Sequence, residues 1–66
     1  MSKKLDLHGI KHEDVDRIVE NFVLLNNPPL EIITGNSQEM SEMVRKILVK
    51  HNLYFEHWSS AIWKIL

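Results

Sequence analysis

What constrains this chain most is a change of hydrophobic period that happens twice in the same way. Leu5-Asp6-Leu7-His8 alternates apolar and polar residues, the period of a half-buried strand, and Gly9 ends the run. Residues 12–26 then carry Val15, Ile18, Val19, Phe22 and Val23 at steps of three and four, one apolar stripe of a helix. Leu30-Glu31-Ile32-Ile33-Thr34 is a second strand, rich in β-branched residues, and Gly35 ends it. Met40, Met43, Val44, Ile47 and Leu48 mark the inward face of a second helix that runs to about His51. A strand, a helix and a parallel strand in one sheet are joined by a right-handed crossover.

Local chemistry supports these boundaries. Glu13, Asp14 and Asp16 sit in the first turns of the first helix, where the helix dipole favours anions. Asn26-Asn27-Pro28-Pro29 stops that helix, because proline lacks the helical N–H and bars the α conformation before it. Asn36 and Ser37 are alternative N-caps for the second helix; with Asn36 as cap, Glu39 takes the third helical position of a capping box. Lys46, Lys50 and His51 suit its carboxyl end, and Asn52 suits the left-handed closing residue. Leu53 to Trp58 reads as a third strand, Ser59-Ser60 as a tight connection, and Ala61 to Leu66 as a fourth strand, the most apolar of all.

Two helices can cover only one face of four strands, and the most apolar strand belongs in the middle. The expectation is an α/β fold: a two-layer βαβαββ sandwich with a four-stranded mixed sheet in the order 1-2-4-3 and both helices on one face. A single domain spans residues 1–66, and the other sheet face is left open to solvent or a partner.

Composition narrows the function. The 66 residues contain no cysteine, which excludes a disulfide framework, a thiol nucleophile and a thiolate zinc site. Eight basic and nine acidic residues nearly balance, so bulk positive charge does not hold a nucleic acid here. No apolar run approaches the ~20 residues that cross a bilayer, so no membrane partner is expected. No apolar stretch follows Lys3 and Lys4 as it would in a signal peptide, so the expected location is cytoplasmic. A domain this small buries only ~60% of its surface, which makes a homo-oligomer plausible.

In an open α/β sheet the ligand crevice lies at the carboxyl ends of the strands. Here those ends bring His8 and Gly9 beside Thr34-Gly35-Asn36-Ser37, with the Ser59-Ser60 turn approaching the same edge. The second helix starts in this loop, and its unpaired N–H groups suit an anion such as phosphate. Lys3, Lys4 and Lys11 flank the site and would steer that anion.

Leu5-Asp6-Leu7-His8-Gly9, an amphipathic helix, then Ile32-Ile33-Thr34-Gly35 and a second helix resemble the Smr (small MutS-related) domain family over about residues 4–66. The resemblance implies a DNA or RNA partner and, in several family members, endonuclease activity. By position it assigns Asp6 and His8 to the polar pair implicated in cleavage. Thr34 and Gly35 match the start of the family's His-Gly-x-Gly loop, so Gly9, Lys11, Thr34, Gly35, Asn36 and Ser37 are the expected nucleic-acid contacts. The chain departs from that pattern in four places: Thr34 replaces the histidine, Ser37 stands where the second glycine would be, the loop before Met40 is one residue shorter, and Ser59-Ser60 replaces a glycine-rich turn. A threonine can hydrogen-bond phosphate but cannot act as an acid or base near neutral pH.

Histidine ionises closest to neutral pH, so His8 is the residue type suited to moving a proton in phosphodiester cleavage, with Asp6 assisting. The bland reading of this pair is two solvated residues on an open sheet face. No cofactor is certain; Mg2+ at Asp6 remains open, although one carboxylate is a poor magnesium site without help from the phosphate. His8 and His12 do not share a helix, so no metal site is expected from their spacing. His51 and His57 read as a helix-end and a sheet-surface residue. Trp58 and Trp63 read as core or interface residues before base-stacking ones. The alternative function is a non-catalytic module that pairs through the open sheet face with itself or another protein.

Overall fold

The computed structural model describes residues 3–66; Met1 and Ser2 lie outside the described residues. The chain runs β1 (Lys3–Asp6), α1 (His12–Leu25), β2 (Leu30–Ile33), α2 (Gln38–Lys50), β3 (Phe55–Ser59) and β4 (Ile62–Ile65). The strands form one sheet in the order β1-β2-β4-β3. β1 and β2 are parallel, and β4 runs antiparallel to both β2 and β3. This is the mixed α/β arrangement expected from the sequence.

The two central strands show why the sheet has two unlike faces. β2 and β4 alternate buried and half-buried residues. Leu30, Ile32, Trp63 and Ile65 turn toward the helices, together with Leu7 from the β1 end. Val15, Val19 and Val23 of α1 and Met40, Val44, Ile47 and Leu48 of α2 close over them. The opposite face carries a cross-strand ladder: Lys4 Nζ lies 3.7 Å and Lys64 Nζ 4.0 Å from the Glu31 carboxylate. Lys64 also lies 4.3 Å above the ring of the exposed Trp58. That face thus mixes these charges with Ile33, Ile62 and the exposed Trp58, and Trp63 is absent from it.

Helix ends are settled by side chains and turns. Ser37, not Asn36, caps α2: its Oγ accepts the Met40 N–H at 3.1 Å. α2 closes as expected, with Asn52 at φ +55°. The Leu53 N–H donates to the Leu48 carbonyl and the Asn52 N–H to that of Val49, the paired bonds of a Schellman closure. Asn26 ends α1 by donating its Nδ2–H to the Phe22 carbonyl at 2.9 Å.

Several strand boundaries differ from the sequence reading: β1 begins at Lys3 rather than Leu5, β2 ends at Ile33 rather than Thr34, and β4 spans Ile62–Ile65 rather than Ala61 to Leu66. β1 ends at Asp6 because Leu7 to Ile10 form a turn, with the Ile10 N–H on the Leu7 carbonyl at 3.0 Å. β3 starts at Phe55 because the Schellman closure uses Leu53. The hairpin turn is Ser60-Ala61 rather than Ser59-Ser60. Neither turn residue has a positive φ, so it is not a mirror-type turn; instead Ser59 Oγ accepts the Ala61 N–H at 3.2 Å, beside a register shift between His57 and Ser59. No helix of the described residues is long and apolar enough to cross a membrane.

Candidate nucleic-acid interface at the carboxyl rim of the sheet

The parallel pairing of Asp6 with Ile33 brings the ends of β1 and β2 level. The Leu7 N–H then extends the ladder onto the Ile33 carbonyl at 2.9 Å. His8 and Thr34 are the next residues of the two strands, so the two βα turns leave the sheet side by side. His12 Nδ1 lies 3.3 Å from a Glu39 carboxylate oxygen, which ties the first turns of α1 and α2 together. Ser60 Oγ donates to Asn36 Oδ1 at 3.2 Å and fastens the β3–β4 hairpin to the same loop. One rim therefore collects His8, Gly9, Lys11, Gly35, Asn36, Ser37 and Ser60.

Each predicted residue has a distinct situation there. Asp6 does not meet the His8 imidazole: its Oδ1 accepts the His8 backbone N–H at 2.9 Å. The carboxylate thus holds the Leu7–Ile10 turn, as short acidic side chains commonly do two residues on. Gly9 sits at φ +81°, the value that the third residue of a type II turn takes. A Cβ there would touch nothing within 4 Å, so glycine is needed for its backbone conformation and not for space. The His8 side chain is exposed, and nothing among the described residues hydrogen-bonds its imidazole.

Thr34 is buried, 5% exposed, and its Oγ1 lies 3.0 Å from the Gly35 carbonyl and 3.2 Å from that of Ala61. Its hydroxyl is committed to the loop's own backbone. Gly35, at φ +67°, turns the chain into α2. Asn36 is held by Ser60, and Ser37 by the Met40 N–H. Lys11 is exposed and offers no side-chain cap to α1. Lys3 and Lys4 do not flank the rim. Lys3 pairs in register with Leu30 at the far end of the sheet and donates to Asn26 Oδ1 at 2.9 Å; Lys4 is engaged by Glu31.

The rim is not basic. Lys11 and two histidines face Asp6, Glu13, Asp14 and Glu39 there. What it offers an anion is the amino ends of both helices, which carry partial positive charge. No group of three or more potential metal ligands forms among the described residues. These residues do not by themselves make a magnesium site.

Sequence reasoning missed a groove of about 340 Å³ next to the rim, lined by Asn36, Gln38, Ser41, Arg45, His57 and Trp63 among others. Trp63 is buried, and its Nε1–H donates to Ser41 Oγ at 2.9 Å. The His57 ring lies flat on the Trp63 ring, 4.0 Å between centroids and 4° from parallel. Phe55 meets Trp63 edge-on at 5.4 Å. Gln38, Ser41 and Arg45 share one side of α2 by helical spacing, but nothing in the sequence says that the hairpin packs there. A second groove, about 400 Å³, runs between the two helices and involves Glu20, Met43, Lys46 and Lys50. It lies away from the rim, and its Glu20 and Lys50 already pair at 3.1 Å.

Comparison of the chain with family models, with curated proteins and with solved structures finds no match.

Proposed function

We propose that this chain is a minimal Smr-like domain that binds nucleic-acid phosphate at the carboxyl rim of its sheet. The observation that carries the reading is the Leu7–Ile33 hydrogen bond, which sets the exposed His8 turn beside the Gly35–Ser37 entrance to α2. Backbone N–H groups of the two helix starts attract the phosphate, with Lys11 alongside. Asp6 supports the turn that presents His8, so its role is positioning. Of the two rim histidines, His12 lies beside Glu39, while the His8 imidazole has no hydrogen-bond partner among the described residues and is the group assigned to move a proton. In cleavage, its imidazole takes the proton of an attacking water or ribose hydroxyl as the new O–P bond forms; the old P–O bond breaks and the departing oxygen takes a proton from solvent water.

A gel-shift series across salt tests the binding. With one free lysine at the rim, few phosphates are neutralised, so the slope of log K against log salt is shallow, about −1 to −2. No shift at low ionic strength sinks the reading. Supercoiled DNA and structured RNA incubated with wild type and His8→Ala test the cleavage. Loss of a proton-transfer residue costs on the order of 10²–10⁴-fold in rate while leaving binding in place. Equal cleavage by both proteins ends the enzymatic part.

The alternative, a pairing module built on the open sheet face, has the exposed Trp58 in its favour but not Trp63. Trp63 lies under the helices, and the uncovered face carries the Lys4–Glu31–Lys64 ladder.

A further inference from the structure

The geometry points to a pocket for a single unpaired nucleobase in the groove between α2 and the β3–β4 hairpin, which makes single-stranded nucleic acid the partner. This rests on the phosphate-binding reading of the rim and adds to it which form of nucleic acid is bound.

Three features argue for a base. The first is a rigid stacking wall. Trp63 is fixed by burial and by its bond to Ser41, and His57 lies flat upon it with the side chain still exposed. Aromatic and histidine side chains stack unpaired bases in this way, whereas a base within a duplex is already stacked on its neighbours. The second is the polar edge. Gln38 and Asn36 bring side-chain amides, while the Arg45 guanidinium is paired with the Glu42 carboxylate of the same groove at 3.1 Å. Amides carry a donor and an acceptor side by side, the pattern that reads a base edge. The Ser41 hydroxyl accepts from Trp63 and keeps its own proton to donate. The third is continuity. Asn36 lines the groove and also belongs to the Gly35–Ser37 loop, so one nucleotide can set its phosphate at the rim and its base in the groove. A volume of about 340 Å³ lies in the range of small-ligand sites.

Fluorescence anisotropy with the full chain tests this, using a short labelled single-stranded RNA, the same strand with abasic positions, and its duplex. The base-bearing strand is expected to bind on the order of tenfold more tightly than the abasic strand, the effect of one stacked base. The duplex should bind like the abasic strand. His57→Ala and Gln38→Ala should each reduce the preference without weakening the abasic strand, and His57→Phe should keep it. Both positions are exposed, and far-ultraviolet circular dichroism checks that the variants fold. Trp58→Ala, on the other sheet face, should change nothing. Equal binding of base-bearing and abasic strands overturns the pocket and leaves the phosphate reading standing. A preference lost in Trp58→Ala and kept in His57→Ala also overturns it. No binding of any strand at low salt overturns both.

Discussion

At the residue scale, the run Leu5 to Gly9 separates into residues that build the turn and one that does not. Leu7 fills the core, Asp6 accepts the His8 N–H, and Gly9 supplies the left-handed φ. Only the His8 imidazole has no structural duty among the described residues. Asp6→Ala should therefore lower stability by about 1 kcal/mol, the size of one lost hydrogen bond, and Asp6→Asn by much less, since an amide oxygen still accepts. Urea denaturation of the two variants checks this; equal losses would show that the bond contributes nothing. The sequence could place Asp6 and His8 in one short stretch, but strand periodicity put their side chains on a shared face. It could not show that the turn begins at Leu7 and takes His8 out of the strand. Thr34 hides for a related reason: its hydroxyl is claimed by Ala61, a residue from a distant hairpin.

At the scale of elements, the carboxyl end of α2 is fastened to the middle of α1. Lys50 Nζ and His51 Nε2 both lie 3.1 Å from one Glu20 oxygen. The His51 hydrogen bond, then that of Lys50, holds the Glu20 carboxyl below the usual carboxylate range. A depressed carboxylate adds stability above its unfolded pKa, and that addition disappears as pH falls through the folded value. Wild type should thus exceed Glu20→Gln in urea midpoint at neutral pH, and the gap should close in acid below the ordinary carboxylate range. A gap that stays constant down the pH series would refute the clamp. Helix periodicity made both helices legible, and Asn52 announced the α2 closure. The third strand was read too early because Leu53-Tyr54 is β-like by composition, although Leu53 donates its N–H back into the helix end.

At the scale of the molecule, Trp63 joins layers that are far apart in sequence. It pairs with Ile32 in β2 and His57 in β3, and bonds Ser41 in α2. Truncating a buried aromatic costs about 3–5 kcal/mol, while a chain of this length has roughly 3–10 kcal/mol of total stability. Trp63→Ala should leave a substantial fraction unfolded at room temperature, and Trp63→Phe should remain folded with a lower urea midpoint; circular dichroism in rising urea reads both, and an unchanged midpoint in Trp63→Ala would show that the tryptophan is not central. The sheet order was legible because β4 is apolar almost throughout. Ser41 was not, since a serine in a helix gives no sign that an indole will reach it. The registers also fix where the polypeptide enters and leaves: Lys3 and Ile65 flank the same residue, Leu30, at the end of the sheet away from His8. A tag or fused domain joined next to Lys3 or Ile65 would therefore lie at the opposite end of the sheet from the His8 turn.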